Sequence, residues 1–144
     1  CLSRAKVEET ADWLNDQDIR ALPYHAGMER EMRDANQDAF LKEEELCLVA
    51  TVAFGMGIDK PNVRYVAHLD LPGSVEAYYQ ETGRAGRDGL PSEVWMAYGM
   101  ADVIQRGRMI EGGGSTGEVK RIERAKLNAL GIESVLLPPK GAKR

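Results

Sequence analysis

The sequence predicts an α/β fold, a parallel sheet with helices on both faces. Two observations carry this. Segments of strand character alternate with segments of helical periodicity along the chain. One of the strand segments, LCLVAT at residues 46–51, is an almost unbroken apolar run, as a strand covered on both faces requires; a half-exposed strand would alternate. The length agrees, since 144 residues suffice for one domain with a proper core and are too few for two of ordinary size.

In order along the chain, Val7, Ala11 and Leu14 fall at helical spacing within residues 3–15, with Ser3 as N-cap. Residues 19–24 read as a short strand. Gly27 turns the chain into a second helix, whose apolar positions are Met28, Met32, Ala35 and Ala39. After the 46–51 run, residues 63–69 form the next strand, 74–82 a short helix, 93–98 another strand and 101–110 a helix. EGGGSTGE, residues 111–118, has the composition of a linker. Beyond it Val119, Ile122, Ala125 and Ala129 make an amphipathic helix that Gly131 can end, and LLPPKGAKR reads as a frayed tail. The division is therefore a main domain over 1–110, a linker over 111–118, and a helix with tail over 119–144. Cys1-Leu2 reads as the end of a strand begun earlier, so the chain is expected to be a piece of a longer protein.

Composition narrows the function classes. At 43% hydrophobic and 29% charged the chain is of the soluble globular kind. No apolar run approaches the length of a membrane span and no signal peptide is seen, so an intracellular protein without a membrane partner is expected. Two cysteines, Cys1 and Cys47, cannot supply a disulfide framework or a four-ligand zinc site, and Cys47 sits in the apolar run as a small hydrophobe. The net charge of −4 argues against wrapping nucleic acid over the whole surface but leaves room for a local phosphate-binding strip.

In α/β sheets ligands are met beyond the carboxyl ends of the strands, and the chemistry-bearing residues stand there. TVAFGMGIDKP, residues 51–61, follows the buried strand. Gly55 and Gly57 allow close approach of the backbone to a ligand, Asp59 can accept from a ribose hydroxyl, and Thr51 can hold a phosphate oxygen. The plainer reading is a long connection with a Lys-Pro turn. QETGRAGRDG, residues 80–89, puts Gln80 in the last turn of a helix that Gly83 ends, so that Arg84 and Arg87 leave on the following loop. Guanidinium suits a transferring phosphoryl group, being permanently charged, planar and able to donate two parallel bonds. A solvated basic loop with Asp88-Gly89 as an ordinary turn is the alternative. Ser3 and Arg4 after the first strand end, and His25 in YHAG after the second, are ordinary donors to a phosphate backbone; a lone His is as readily structural. The sequence has no GxxxxGK[ST] loop and no acidic pair after an apolar strand for Mg²⁺. It can supply arginines to a nucleotide hydrolysis site without completing one.

Together these stretches resemble the second RecA-like motor lobe of RecQ-family DNA helicases of superfamily 2. CLSRAKVEETA resembles helicase motif IV, LVATVAFGMGIDKPNVRYVAHLDLP motif V and EAYYQETGRAGRDGLPSE motif VI, with YHAGM between the first two. The resemblance covers residues 1–110, and RIERAKLNAL is similar to the start of the segment leading into the family's zinc-binding module. It implies an ATP-dependent motor that moves 3′ to 5′ on single-stranded DNA and unwinds duplexes in repair and recombination. ATP and Mg²⁺ would be bound mainly by a first lobe, which together with DNA is this chain's expected partner; zinc would belong only to the downstream module. Arg87 would serve as arginine finger, Arg84 as a second γ-phosphate or interface contact, and Gln80, Asp59 and Gly57 would line the nucleotide cleft. Ser3, Arg4, His25 and Thr51 would hold the DNA backbone. The location implied is cytoplasmic in a bacterium and nuclear in a eukaryote. The chain alone is expected to be inactive. A stand-alone nucleic-acid-binding or regulatory module is the alternative, and an RNA helicase lobe a third reading that the wording of motif V disfavours.

Overall fold

The computed structural model describes residues 3–51 and 58–129 and divides into two compact units, residues 1–61 and 62–144. The first contains α1 (Arg4–Asp16), β1 (Ala21–Tyr24), α2 (Arg30–Lys42) and β2 (Cys47–Ala50). Ser3 has extended backbone and its hydroxyl accepts from the Lys6 N–H at 3.1 Å, satisfying one of the orphan donors of the first turn as the sequence predicts. β1 and β2 run parallel, with Ala21 opposite Cys47 and Tyr24 opposite Ala50.

Side chains alternate across a strand, so Ala21 and Val49 share one face of this pair. There they join Val7 and Ala11 of α1 in a buried cluster, with Leu14 and Cys47 packed against it. Burial raises the Cys47 thiol pKa above its ordinary value, which leaves the thiol protonated and inert. Tyr24, out of phase with Ala21, sends its hydroxyl to Gln37 Oε1 of α2 at 3.1 Å, and Asn36 Nδ2 donates to the Pro23 carbonyl at 2.8 Å. The strand pair thus carries α1 on one face and α2 on the other.

α2 docks differently from the expectation. The helix begins at Arg30, so Met28 lies before it, and Met32 is 59% exposed. The inward stripe is Arg33, Asn36, Gln37, Ala39 and Phe40, which keeps Ala39 of the predicted positions but turns Met32 and Ala35 outward. Two polar side chains with strand partners set the rotation of a helix whose apolar residues are few. Lys60 completes the unit by donating from Nζ to the Glu43 carbonyl at 3.0 Å at the end of α2, with its ammonium 5.5 Å from the Phe40 ring centre.

Asn15 fastens α1 to β1. Its Nδ2 donates to the Ala11 and Ala21 carbonyls at 2.8 and 2.9 Å, and its Oδ1 accepts from the Ala21 N–H at 3.0 Å. Asn15→Ala leaves both backbone groups of Ala21 without that partner. It is expected to cost about 1–2 kcal/mol of local stability, read as faster hydrogen exchange at the Ala21 amide; unchanged protection there would show the contact to be dispensable.

The second unit contains β3 (Tyr65–His68), α3 (Val75–Thr82), β4 (Glu93–Met96), α4 (Met100–Gly112) and α5 (Gly117–Ala129). β3 and β4 pair in parallel, Tyr65 opposite Glu93 through His68 opposite Met96, with α3 in the crossover. Ser74 caps α3, its hydroxyl accepting from the Ala77 N–H at 3.1 Å. Asp102 Oδ2 accepts from the Gly99 N–H at 2.7 Å to start α4.

Two expectations are corrected here. Among the described residues the strands form two parallel pairs, as the expected α/β fold has them, but in β2 only Val49 is fully buried, its neighbours being half-buried where the apolar run predicted cover on both faces. The run 111–118 is not all linker either. α4 continues through Gly112 and α5 begins at Gly117, leaving residues 113–116 as the turn. The Met109 carbonyl accepts from the Gly113 N–H at 3.1 Å and the Thr116 carbonyl from Lys120 N–H at 3.1 Å, so helix-end bonding claims residues that composition assigns to a loop. α5 packs on α4 and α3, while Val119 and Ile122 of its apolar face remain 42% and 48% exposed. The proposed stop at Gly131 lies outside the described residues.

Candidate functional site

In the second unit α3 ends at Gly83, as the sequence predicts, and residues 83–88 follow as consecutive turns. Arg84 is half-buried, whereas Arg87 and Gln80 are exposed. The Arg87 Nε donates to the Gly83 carbonyl at 3.1 Å, holding the side chain back across its own turn. Gly86 has φ +61°, the left-handed region, and its N–H donates to the Val63 carbonyl at 2.9 Å. The Gly89 N–H donates to the Gly86 carbonyl at 2.9 Å and Asp88 Oδ1 accepts from the Leu90 N–H at 3.0 Å. Asp88-Gly89 forms an Asx-type turn, so the turn of the alternative reading is present within the arginine loop.

This loop is fastened by charged groups that the sequence reading did not single out. Arg64, just before β3, donates from Nη2 to both Asp88 oxygens at 2.6 and 2.7 Å, from Nη1 to the Pro91 carbonyl at 2.8 Å and from Nε to the Asn62 carbonyl at 3.1 Å. The Arg64 hydrogen bonds, and then the Leu90 N–H, hold the Asp88 carboxyl below the usual aspartate range. Because its folded pKa is depressed, the pair contributes above the unfolded aspartate value and is lost as pH falls through the folded one. At the other end of the loop, Glu81 in the last turn of α3 meets buried His68 Nε2 at 2.5 Å, and the His68 ring lies 5.6 Å from that of Tyr78. A basic residue entering a strand 24 positions before an acidic one in a glycine-rich loop was the available signal for the first pair. Nothing in the pattern gave the second.

In the first unit the four residues assigned to a phosphate backbone gather around the carboxyl ends of β1 and β2. The Thr51 N–H donates to the Tyr24 carbonyl at 3.3 Å, joining the two strand ends. Arg4 lies across Gly27, where a Cβ would sit 2.9 Å from its side chain, and Ser3 caps the same helix start. His25 is 5% exposed; its Nδ1 accepts from the Gly27 N–H at 3.1 Å and its Nε2 meets Glu8 Oε1 at 2.8 Å. With Nδ1 as acceptor, Nε2 carries the proton toward Glu8, and both ring nitrogens are engaged within the chain. Asp59 is exposed beside Lys60. Gly57, with Gly55, lies outside the described residues. Among the described residues no group of three or more His, Cys, Asp or Glu side chains is placed to hold a metal.

The sequence of residues 1–89 matches the helicase conserved C-terminal domain family. The chain belongs to that family, in its RecQ branch. It is 48% identical over 131 residues to the ATP-dependent DNA helicase RecQ of Haemophilus influenzae, covering 91% of this chain and 21% of that protein. It is 48% identical over 112 residues to the RecQ-like DNA helicase BLM of Xenopus laevis, covering 77% of this chain and 8% of that one. The chain therefore spans about a fifth or less of these relatives. Among solved structures, the Mycobacterium smegmatis helicase Lhr bound to single-stranded DNA and AMP-PNP aligns with a TM-score of 0.61 and 28% identity, over 77% of this chain and 16% of that one. Escherichia coli DEAD-box protein SrmB aligns with a TM-score of 0.58 and 28% identity, over 67% and 56%. The fold is that of a RecA-like helicase C-terminal lobe.

Proposed function

We propose that this RecQ-type lobe is the second motor lobe of a 3′ to 5′ ATP-dependent DNA helicase acting in repair and recombination, inactive until joined to a first lobe. The observation that carries the reading is the arginine loop: Arg84 and Arg87 are carried on a turn whose residues 86 and 88 are tied to the segment leading into one parallel strand. Donors fixed before charge develops act with little reorganisation. Arg87 donates to the γ-phosphate as the bond to the leaving group lengthens, Arg84 holds a second phosphate or interface position, and exposed Gln80 lines the nucleotide beside them; Asp59, in the first unit, is assigned separately as an acceptor for a ribose hydroxyl. Mg²⁺ would be held by acids of the first lobe, where it would neutralise developing phosphate charge.

DNA is gripped by the cluster at the carboxyl ends of β1 and β2. Ser3, Arg4 and Thr51 provide the donors. His25 enters this grip by shaping the turn under Arg4, since its ring nitrogens are engaged by Gly27 and Glu8. Closure and release of the two lobes around ATP moves one DNA grip against the other.

The test compares ATP hydrolysis of the full gene product with that of this chain alone. DNA-stimulated turnover is expected in the former and none in the latter, with the isolated chain binding single-stranded DNA weakly and in a salt-sensitive way. A full gene product without DNA-stimulated turnover would overturn the motor reading. Nanomolar, salt-tolerant DNA binding by the chain alone would favour the stand-alone nucleic-acid-binding module.

A further inference from the structure

Arg87 stands between two residues that are each tied to the same short segment. Gly86 N–H donates to the Val63 carbonyl at 2.9 Å, and the Asp88 carboxylate takes both of its 2.6 and 2.7 Å bonds from Arg64. Val63 and Arg64 lead directly into β3, and the Arg64 carbonyl accepts from the Glu93 N–H at 2.8 Å, which opens β4. The anchor is therefore the sheet, not another loop. Consecutive Cα atoms are about 3.8 Å apart, so fixing residues 86 and 88 leaves the Arg87 Cα little freedom.

Most exposed ion pairs contribute little. This one differs in geometry: one guanidinium nitrogen, Nη2, meets both Asp88 oxygens while the other two, Nη1 and Nε, bond the Pro91 and Asn62 carbonyls, the former just beyond the loop. One planar cation thus ties Asp88, next to Arg87, and the chain just beyond the loop to the segment that leads into β3. Holding a donor near its productive position is worth more in rate than in stability, because a displacement of about 1 Å can cost about 10² in turnover.

We propose that Arg64 and Asp88 are positioning residues for Arg87, a latch that sets where the arginine points during ATP hydrolysis. The proposal rests on the motor reading above. A latch acting through Arg87 predicts coupling, whereas a pair that merely stabilises the lobe predicts the same fractional loss whatever residue occupies position 87.

The test is a double-mutant cycle in the full-length helicase, with kcat and KM for ATP measured under saturating DNA. Asp88→Asn keeps the shape and the Leu90 bond but removes the ion pair. It is expected to lower kcat about tenfold with KM for ATP changed less than about twofold, and to lower kcat less than about twofold further in an Arg87→Ala background. Arg64→Lys, which keeps the charge and loses the fork, is expected to fall between the parent and Asp88→Asn. An Asp88→Asn loss of equal size in both backgrounds, or no loss beside a strong Arg87→Ala effect, would overturn the latch and leave the motor reading standing. An Arg87→Ala protein with undiminished kcat would remove the finger assignment and the latch with it, while a parent protein without DNA-stimulated turnover would overturn the motor reading itself.

Discussion

Replacing Arg87 by alanine in the full-length helicase is expected to lower kcat for DNA-stimulated ATP hydrolysis by about 10³ or more, the scale on which arginine fingers act, while ATP binding persists. The separation follows from where the charge appears. In the ground state the γ-phosphate is already countered by the groups that bind it. As the bond to the leaving group lengthens, charge spreads over oxygens that only a donor arriving from outside the phosphate loop can meet. Arg87 is exposed on a turn whose neighbours on either side are tied to residues 63 and 64. That arrangement suits a group needed at one place and one moment. Lysine should not replace it well, since a point charge on a flexible stem lacks the second parallel donor. Equilibrium binding of a non-hydrolysable ATP analogue and steady-state turnover, measured on the same variant, separate the two effects; undiminished turnover would remove the finger assignment.

What was legible beforehand depended on whether the controlling interaction was local. Ser3 as N-cap and Gly83 as the end of α3 are decided within four residues of chain, and the structure has them where the pattern places them. A strand in a parallel sheet was legible in the apolar run around Leu48 and Val49, and β2 pairs in parallel with β1; which strand it would pair with was not. The rotation of α2 did not follow, because it depends on Asn36 and Gln37 finding Pro23 and Tyr24 across 13 residues of sequence, and the apolar spacing of Met32 and Ala35 pointed to another face. The extent of the linker was misjudged since glycine composition speaks of backbone freedom and not of the helix-end bonds that draw Gly112 and Gly117 into helices.

In the candidate site the same distinction holds. Arg84 and Arg87 announce themselves through residue type and spacing. Arg64, His68 and Glu81 do not, because a polar side chain in or beside a strand or at a helix end has no local reason for being there; its partner, Asp88 for Arg64 and Glu81 for His68, becomes visible only when the chain is folded. His25 illustrates the converse. Its type suggested a phosphate donor, and its surroundings engage both nitrogens in shaping the Gly27 turn.

The glycines of the arginine loop allow backbone strain to be separated from displacement. Gly86→Ala is expected to lower kcat by about 10² with little change in KM for ATP, on the scale that a misplacement of about 1 Å produces. Gly86 has φ +61° and Gly89 φ +80°, so either alanine bears the left-handed penalty of about 1–2 kcal/mol. Only at Gly86 does a side chain also meet the fold. Its Cβ would lie 2.7 Å from Ser92 Oγ and 2.9 Å from the Leu90 carbonyl oxygen, whereas nothing stands within 4 Å of a Cβ at Gly89. Ser92 can turn its hydroxyl aside, but the Leu90 carbonyl is main chain in a segment held by the Asp88 carboxylate and by Arg64 through Pro91. The loop must therefore yield at residue 86, next to Arg87. Gly89→Ala, with strain and no collision, is expected to keep kcat within about threefold of the parent. Equal losses in the two variants would mean that backbone strain alone governs turnover, and the dependence of Arg87 on its position would fall.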